Sequence, residues 1–202
     1  MATKKTPAKT KASTPVTKAA PKAKAAPKKA APAAKAAPKS TAAKVAPTSK
    51  SAIEIGKPAP AFSLLADDGA TVTLDGLRGK NVVLYFYPKD DTPGCTKEAC
   101  GFRDIAGDFA KKNAVVFGVS KDSVASHTKF KNKYHLNFGL LSDPTGEMIA
   151  KYGSWGQKKF MGRTFDGILR TTVLVDESGN VSKVYPKVSP ETHAEQILGD
   201  LG

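Results

Sequence analysis

Two uninterrupted apolar runs limit the folds open to this chain. They cover residues 82–87 and 114–119. Runs of this length without a polar residue are typical of strands that are buried on both faces of a sheet. Between them, residues 93–112 repeat their apolar side chains with the period of a helix. The sequence therefore predicts a strand, a helix and a second strand at the centre of an α/β domain.

Hairpin patterns lie on either side of this unit. Residues 62–65 and 71–74 flank an acidic turn closed by glycine, and residues 171–175 and 181–185 flank a second turn. The other predicted elements are helices over residues 122–134, 144–152 and 190–201 and a short strand over residues 138–141. This order fits a thioredoxin-like α/β fold, in which helices flank a central mixed β-sheet.

The first 50 residues lack the side chains needed to build a core. They contain 17 Ala, 13 Lys, 7 Pro and 7 Thr, but no acidic and no aromatic residue. Such a segment has too little apolar surface to offset the entropy lost on ordering. We therefore expect residues 1–50 to be a disordered basic tail and residues 51–202 to be one domain. That domain is nearly neutral, with 19 basic and 18 acidic residues.

The composition of the tail favours binding to polyanions. Its Lys/Ala/Pro repeats resemble the tails of linker histones and of histone-like bacterial proteins. A cluster of 13 lysines without acidic residues binds DNA by counterion release, without reading the base sequence. A solubilising arm with no dedicated partner is the alternative.

The sequence also indicates a compartment. No apolar run approaches the length of about 18 residues that a membrane span requires, so we expect no membrane partner. The lysine-rich start lacks the apolar block of a secretory signal. Two cysteines in 202 residues do not make a disulfide framework and favour a reducing environment. We expect a cytoplasmic protein, held near the nucleoid in a bacterium or placed in the nucleus of a eukaryote by its tail.

Both cysteines lie near the start of the helix predicted over residues 93–112. Thr92 is a suitable N-cap and Pro93 a suitable first helical residue, so Cys95 falls in the first turn. Unpaired backbone N–H groups and the helix dipole stabilise a thiolate at this position. The sequence therefore predicts that Cys95 is placed for chemistry.

A helical projection separates the two thiols. Cys95 falls on the apolar stripe that should face the core, whereas Cys100 lies roughly 140° round the helix. The stripe comprises Cys95, Ala99, Phe102, Ala106 and Phe109. Residues five apart in a helix have Cα atoms roughly 8.6 Å apart, whereas a disulfide requires less than about 7 Å. The two cysteines can therefore bond only after the first helical turns unwind.

Three interpretations of the cysteine pair compete at this point. Two unrelated buried cysteines are a common outcome for free thiols. A metal site has little support because His127, His135 and His193 have no ligand spacing with the cysteines. The third interpretation is a redox-active pair, with one nucleophilic thiolate and one resolving thiol. We expect no metal and no cofactor.

The segment around the cysteines resembles the active-site segment of peroxiredoxins, in particular that of the peroxiredoxin Q or bacterioferritin comigratory protein group. Pro88, Thr92 and Cys95 match the family's proline, threonine and peroxidatic cysteine. Cys100 matches a resolving cysteine five residues later. The resemblance extends over residues 53–202. Further matching segments are Leu141-Ser142-Asp143, Trp155-Gly156, residues 160–168 and Leu169-Arg170-Thr171-Thr172.

The resemblance implies a thiol peroxidase that acts on hydrogen peroxide and organic hydroperoxides. Cys95 would attack the peroxide and become a sulfenic acid, while Arg170 would stabilise the thiolate and the leaving oxygen. Thr92 would hold the peroxide or the thiolate, and Pro88 would shield the site from water. Cys100 would close an intramolecular disulfide that a thioredoxin-type reductant reduces. We expect a monomer. The alternative is a DNA-associated redox sensor that uses the same cysteines without sustained turnover.

Simpler interpretations of single residues stay open beside this one. Without the resemblance, Arg170 is more simply a solvated surface charge, and Thr92 is only an N-cap. Asp90 and Asp91 are most simply part of a solvated loop. His127 is expected to be a partly packed histidine rather than a general base. The residues expected only to pack are Trp155 and Phe160.

Overall fold

The computed structural model describes residues 53–160 and 162–201, and only the backbone of Phe160. The predicted tail and the predicted boundary at residue 51 lie outside the described residues. The strands are β1 (Ser63–Ala66), β2 (Thr71–Thr73), β3 (Asn81–Phe86), β4 (Ala114–Ser120), β5 (Gly139–Ser142), β6 (Trp155–Phe160), β7 (Arg163–Ile168), β8 (Thr171–Val175) and β9 (Val181–Tyr185). The helices are α1 (Pro93–Asp104), α2 (Ala106–Lys111), α3 (Val124–Tyr134), α4 (Glu147–Lys151) and α5 (His193–Asp200), with a 3-10 turn at Asp75–Leu77. No helix in this part of the chain is long and apolar enough to cross a membrane.

Seven of these strands form one mixed sheet in the order β2-β1-β5-β4-β3-β8-β9. β3, β4 and β5 are parallel neighbours, as strand–helix–strand connections require. The remaining strands pair antiparallel on either side, and they include both predicted hairpins, β1–β2 and β8–β9. The predicted thioredoxin-like arrangement, a mixed sheet flanked by helices, is confirmed.

β3 is buried on both faces, as its continuous apolar run predicted. Leu84 and Phe86 point into one core cluster, and Val83 and Tyr85 point into the cluster on the opposite face. α4 and the segment before β1 supply side chains to the first cluster, and α1, α2, α3 and α5 supply the second. The helix that carries both cysteines therefore packs against the Tyr85 face of the sheet.

The helix predicted over residues 93–112 is broken into α1 and α2 at Ile105, whose φ of −113° and ψ of 16° are not helical. A continuous helix would point Ile105 about 80° away from the apolar stripe. The break lets Ile105 pack against the same core cluster as Phe102 and Phe109. Ala106, which the projection placed on the stripe, is only half-buried. The prediction of one helix is therefore wrong at a single residue, because packing of an isoleucine outweighs helix continuity.

A second, two-stranded sheet formed by β6 and β7 was not predicted. Polar and apolar residues do not alternate regularly in its strands, and most of β7 is exposed. Pairing of the backbone holds it together, and Gly162, with a φ of 77°, lies in the turn. Trp155 and Ile168 at its base pack on the main core, as expected for Trp155. The side chain of Phe160 lies outside the described part.

Candidate active site

Cys95 is the third residue of α1, just beyond the loop that leaves β3. Its side chain is 1% exposed and belongs to the core cluster that contains Tyr85 and Phe102. Cys100 lies on the same helix but is half-buried, and both residues are free cysteines. The helical projection is confirmed in placing one thiol inside the protein and the other near its surface.

Arg170, in the short connection between β7 and β8, provides the positive charge beside the buried thiol. Its Nη2 lies 3.4 Å from the Sγ atom of Cys95 and donates to it. Its Nη1 donates to the carboxylate of Glu98, and only 22% of its side chain is exposed. A Cβ atom at Gly94 would lie 3.2 Å from Nη2, so the glycine leaves room for the guanidinium. The simpler interpretation of Arg170 as a solvated surface charge is therefore wrong.

Glu98 is a site residue that the sequence reasoning missed. It lies one helical turn after Cys95 and is 1% exposed. Burial raises the pKa of Glu98 to about 7, although the charge of Arg170 and its hydrogen bond act to lower it. Its Oε1 atom has no hydrogen-bond partner among the described residues. A glutamate at the edge of an apolar helical stripe is the signal that predicts a buried cationic partner.

Arg170 stays charged in this pair. Burial acts to lower the pKa of Arg170, but Glu98 and Cys95 outweigh burial, and the pKa is raised. One guanidinium therefore faces two acidic groups, the thiol and the carboxyl. Its fixed fork of donors suits this bridging position better than a lysine ammonium would.

An aromatic layer lies beneath the thiol. Tyr85 is buried and stacks on Phe102 at a centroid distance of 4.8 Å and on Tyr87 at 5.4 Å. Burial first, and then the charges of Glu98 and Cys95, raise the pKa of Tyr85. A Cβ atom at Gly118 would lie 2.6 Å from the Tyr85 hydroxyl, so this position needs a glycine. The thiol therefore lies in a region of low dielectric, where a nearby guanidinium acts strongly.

Thr92 and Pro88 lie in the loop before α1. Thr92 is the N-cap residue and Pro93 the first helical residue, as predicted. The hydroxyl of Thr92, however, donates to the carbonyl of Lys89 at 3.2 Å and does not accept from a helical N–H group, so the predicted side-chain cap is wrong. Because the chain turns tightly between Lys89 and Thr92, the hydroxyl points towards Lys89 and away from α1. Pro88 is exposed, two residues after the end of β3.

The same loop is anchored by Asp90. This residue was predicted to be solvated, but it is only 7% exposed, so the prediction is wrong. Its carboxylate accepts from Tyr87 Oη at 2.7 Å, from Ser126 Oγ at 2.7 Å and from His127 Nδ1 at 3.0 Å. Burial opposes ionisation of Asp90, but the hydrogen bonds from His127 and Ser126 outweigh it and lower its pKa. His127 is fully buried, so it is packed more completely than predicted.

Asp91 behaves as predicted and is exposed. It adopts a left-handed φ of 56°, and its carboxylate forms an ion pair with Lys133 at 2.7 Å. Asp90 and Asp91 thus tie the loop before Cys95 to α3. This tether holds the start of α1 at the end of β3.

The described residues contain no group of three or more His, Cys, Asp or Glu side chains that could hold a metal ion. His193 is buried, and its Nε2 lies 2.7 Å from Thr172 Oγ1. Burial, with a further contribution from Arg170, lowers the pKa of His193 to about 4. It is therefore neutral at pH 7 and packs edge-on against Phe102.

These contacts define what the arrangement can do. A thiol at a helix N-terminus, with a guanidinium on its sulfur, is placed to act as a nucleophile. The same guanidinium is placed to stabilise negative charge that develops on a leaving oxygen. A second thiol five residues on is near enough in sequence to form a disulfide after local unwinding.

The comparison with protein families agrees with this chemistry. A sequence model of the AhpC/TSA family matches residues 55–184. The matched region includes Cys95, Cys100 and Arg170.

Named relatives and solved structures are similar over the same region. The putative peroxiredoxin bcp of Coxiella burnetii is 51% identical over 150 residues, covering 74% of this chain and 99% of the relative. Peroxiredoxin Bcp of Bacillus subtilis is 46% identical over 149 residues, covering 74% and 95%. The Xanthomonas campestris bacterioferritin comigratory protein, described for alkyl peroxide reduction, has a TM-score of 0.66 and 36% identity, covering 69% of this chain and 89% of that chain. A variant of Xylella fastidiosa PrxQ has a TM-score of 0.70 and 31% identity, covering 74% and 95%.

Proposed function

The chain belongs to the AhpC/TSA family and within it to the Bcp/PrxQ peroxiredoxins, and on this premise we propose that it reduces hydrogen peroxide and organic hydroperoxides through a cycle of Cys95 and Cys100. As a peroxiredoxin it is a thiol peroxidase. The observation that carries the proposal is the contact of 3.4 Å between Arg170 Nη2 and Cys95 Sγ.

In the first step, the Cys95 thiolate attacks the distal oxygen of the hydroperoxide. A sulfur–oxygen bond forms, the oxygen–oxygen bond breaks, and the alkoxide or hydroxide leaves and takes a proton. Arg170 stabilises the thiolate before attack and the leaving oxygen during it. Thr92, half-buried in the loop before α1, holds the peroxide through its hydroxyl, and Pro88 shields the site from water.

In the second step, the thiolate of Cys100 attacks the sulfenic sulfur of Cys95. A disulfide forms, and the sulfenic oxygen leaves as hydroxide, which takes a proton from solvent and becomes water. Both cysteines lie in one intact helix of 12 residues, so the first turns of α1 must unwind before the sulfurs meet. A thioredoxin-type dithiol then reduces the disulfide by exchange and is itself oxidised. Because both thiols come from one chain, the cycle requires only a monomer.

Replacing Cys100 with serine tests this cycle. The wild-type protein should consume hydroperoxide over many turnovers with thioredoxin, thioredoxin reductase and NADPH, whereas Cys100→Ser should stop after about one equivalent. Dithiothreitol should restore turnover to the variant, because a small dithiol reduces the sulfenic acid directly. The oxidised wild type should run as a monomer on a non-reducing gel, since its disulfide is intramolecular.

Two outcomes would contradict this cycle. Unchanged thioredoxin-driven turnover in Cys100→Ser would remove the resolving role of Cys100. A wild-type protein that stops after about one oxidation with thioredoxin present would instead be the redox sensor considered above. Fluorescence of Trp155, the single tryptophan, reports whether the variant is folded like the wild type.

We further propose that residues 1–50 are a basic arm that holds the enzyme near DNA in the cytoplasm. The 13 lysines and the absence of acidic residues support electrostatic binding to phosphates. In a mobility-shift assay, the full chain should retard duplex DNA and lose most of that affinity between about 50 and 200 mM salt. A chain that begins at Ser51 should not retard DNA. Equal affinity of the two chains at physiological salt would show that the tail is only a solubilising arm.

A further inference from the structure

One face of the β6–β7 hairpin carries two cationic side chains: Arg163 is exposed near the turn, whereas Lys158 is half-buried. Lys158 lies directly across from Phe165, so the two side chains share a face of the hairpin. On the same face Gly156 pairs with Gly167. A Cβ atom at Gly167 would lie 3.7 Å from the Phe165 ring and 3.8 Å from Lys158 Cδ. The two glycines thus form a strip without side chains, beside the aromatic ring and the stem of the lysine.

This strip ends at Leu169, the residue before Arg170. The side chain of Leu169 lies over Gly156, with Cδ1 3.1 Å from the position of a Cβ atom there. Leu169 is followed directly by Arg170, which contacts Cys95. The strip therefore runs from Phe165, which is 48% exposed, past the glycines to Leu169, which directly precedes the residue that contacts the thiol.

The ammonium of Lys158 belongs to the electrostatic surroundings of the thiol. Lys158 is half-buried, and burial first, then the charge of Arg170, lower its pKa, while Cys95 opposes this. Of the described carboxylates, none forms an ion pair with Lys158, whereas Lys97, Lys131 and Lys133 each have one. A partly desolvated ammonium without a counterion favours an anionic ligand.

We propose that Lys158 binds the carboxylate of a short organic hydroperoxide whose peroxy group lies at Cys95 and whose apolar stem lies along Phe165 and Leu169. This inference rests on the proposed peroxidase function and adds a substrate class to it. Arg170 already serves Glu98 through Nη1 and Cys95 through Nη2, so the carboxylate is assigned to Lys158. Lys158 is then a specificity residue and takes no part in breaking the oxygen–oxygen bond.

The test uses a pair of substrates that differ in one charge. The full chain is given γ-hydroperoxy-γ-methylvaleric acid or its methyl ester, with hydrogen peroxide as the reference. The wild type should show kcat/KM about tenfold higher for the acid than for the ester, the effect of one charge-assisted contact. Lys158→Gln should remove this preference, Lys158→Glu should reverse it, and Lys158→Arg should keep it. Lys159→Gln is the matched control, because Lys159 is exposed on the opposite face of the hairpin.

The outcomes separate this inference from the function on which it rests. An unchanged ratio of acid to ester in Lys158→Gln would overturn the inference, and so would an equal loss with all three substrates, which would make Lys158 a general stabiliser of the thiolate. Both results leave the peroxidase function intact, because wild-type activity on hydrogen peroxide is measured in the same series. Failure of the wild type to reduce hydrogen peroxide would contradict the proposed function itself.

Discussion

Replacing Cys95 with serine should abolish hydroperoxide reduction, with a loss of at least ~10³-fold in the rate of the first oxidation. A serine hydroxyl is not ionised near neutral pH and cannot donate an electron pair to the peroxide as a thiolate does. The substitution changes one atom in a fully packed site, so the fold should be kept. Peroxide consumed in a single-turnover assay, with dimedone trapping of sulfenic acid, measures the effect.

Cys100→Ser is the matched control, because it removes the other thiol from the same helix. It should consume its first equivalent of peroxide at the wild-type rate and trap dimedone. Persistent peroxide reduction in Cys95→Ser would mean that another group is the nucleophile, and the assignment of Cys95 would have to be abandoned.

Replacing Arg170 with methionine should slow the first oxidation by about 10²- to 10³-fold while Cys95 remains in place. The guanidinium contacts the sulfur at 3.4 Å and lies in a low-dielectric region, so its loss removes stabilisation from both the thiolate and the leaving oxygen. Arg170→Lys should give an intermediate rate, because an ammonium cannot bridge the thiol and Glu98 with two fixed donors. Stopped-flow tryptophan fluorescence under single-turnover conditions measures these rates.

The protonation of Glu98 determines whether the Arg170→Met variant stays folded. Arg170 acts to lower the pKa of Glu98, so its removal should raise that pKa further and leave the buried carboxyl protonated at neutral pH. Burying a protonated carboxyl costs less free energy of folding than burying an unpaired carboxylate, so the variant should stay folded.

Glu98→Gln supplies the comparison, because it keeps the shape of the side chain and the contact between Arg170 and Cys95. The pKa of Glu98 is raised from 4.5 to about 7, so the wild-type protein loses stability as pH rises between these values, because the carboxyl ionises in the unfolded chain while the buried one stays protonated. The wild-type rate should bend near pH 7, where the carboxylate begins to compete for the guanidinium, and Glu98→Gln should lack the bend.

A rate for Arg170→Met that matches wild type across this range would exclude an electrostatic role for Arg170.

Much of the central fold could be predicted from residue types alone. β3 and β4 are continuous apolar runs, which is the pattern expected of strands covered on both faces of a sheet. The start of α1 follows from Thr92 and Pro93, and the different environments of the two cysteines follow from the helical period. These features depend on neighbours within a few residues, and local sequence contains that information.

The errors over Asp90 and over the β6–β7 hairpin have a common cause in contacts that a local pattern does not contain. Asp90 looked like a loop residue, but its partner His127 lies 37 residues later. The β6–β7 hairpin was not predicted because its strands are rich in polar residues. Backbone pairing and contacts at its base stabilise it instead. A local pattern does not contain these pairings, since they form only when the sheet assembles.

Residue types and their spacing were enough to place a thiol at the start of a helix, facing a core, with a second thiol turned away from it. Helical geometry alone dictates that arrangement, because rotation per residue and residue spacing are local quantities. The tertiary structure decided which charge meets that thiol: it brings Arg170 across 72 residues to Glu98 and 75 to Cys95. Only folding of the whole sheet could do so, because the low dielectric that makes this charge effective is itself a product of the packed core.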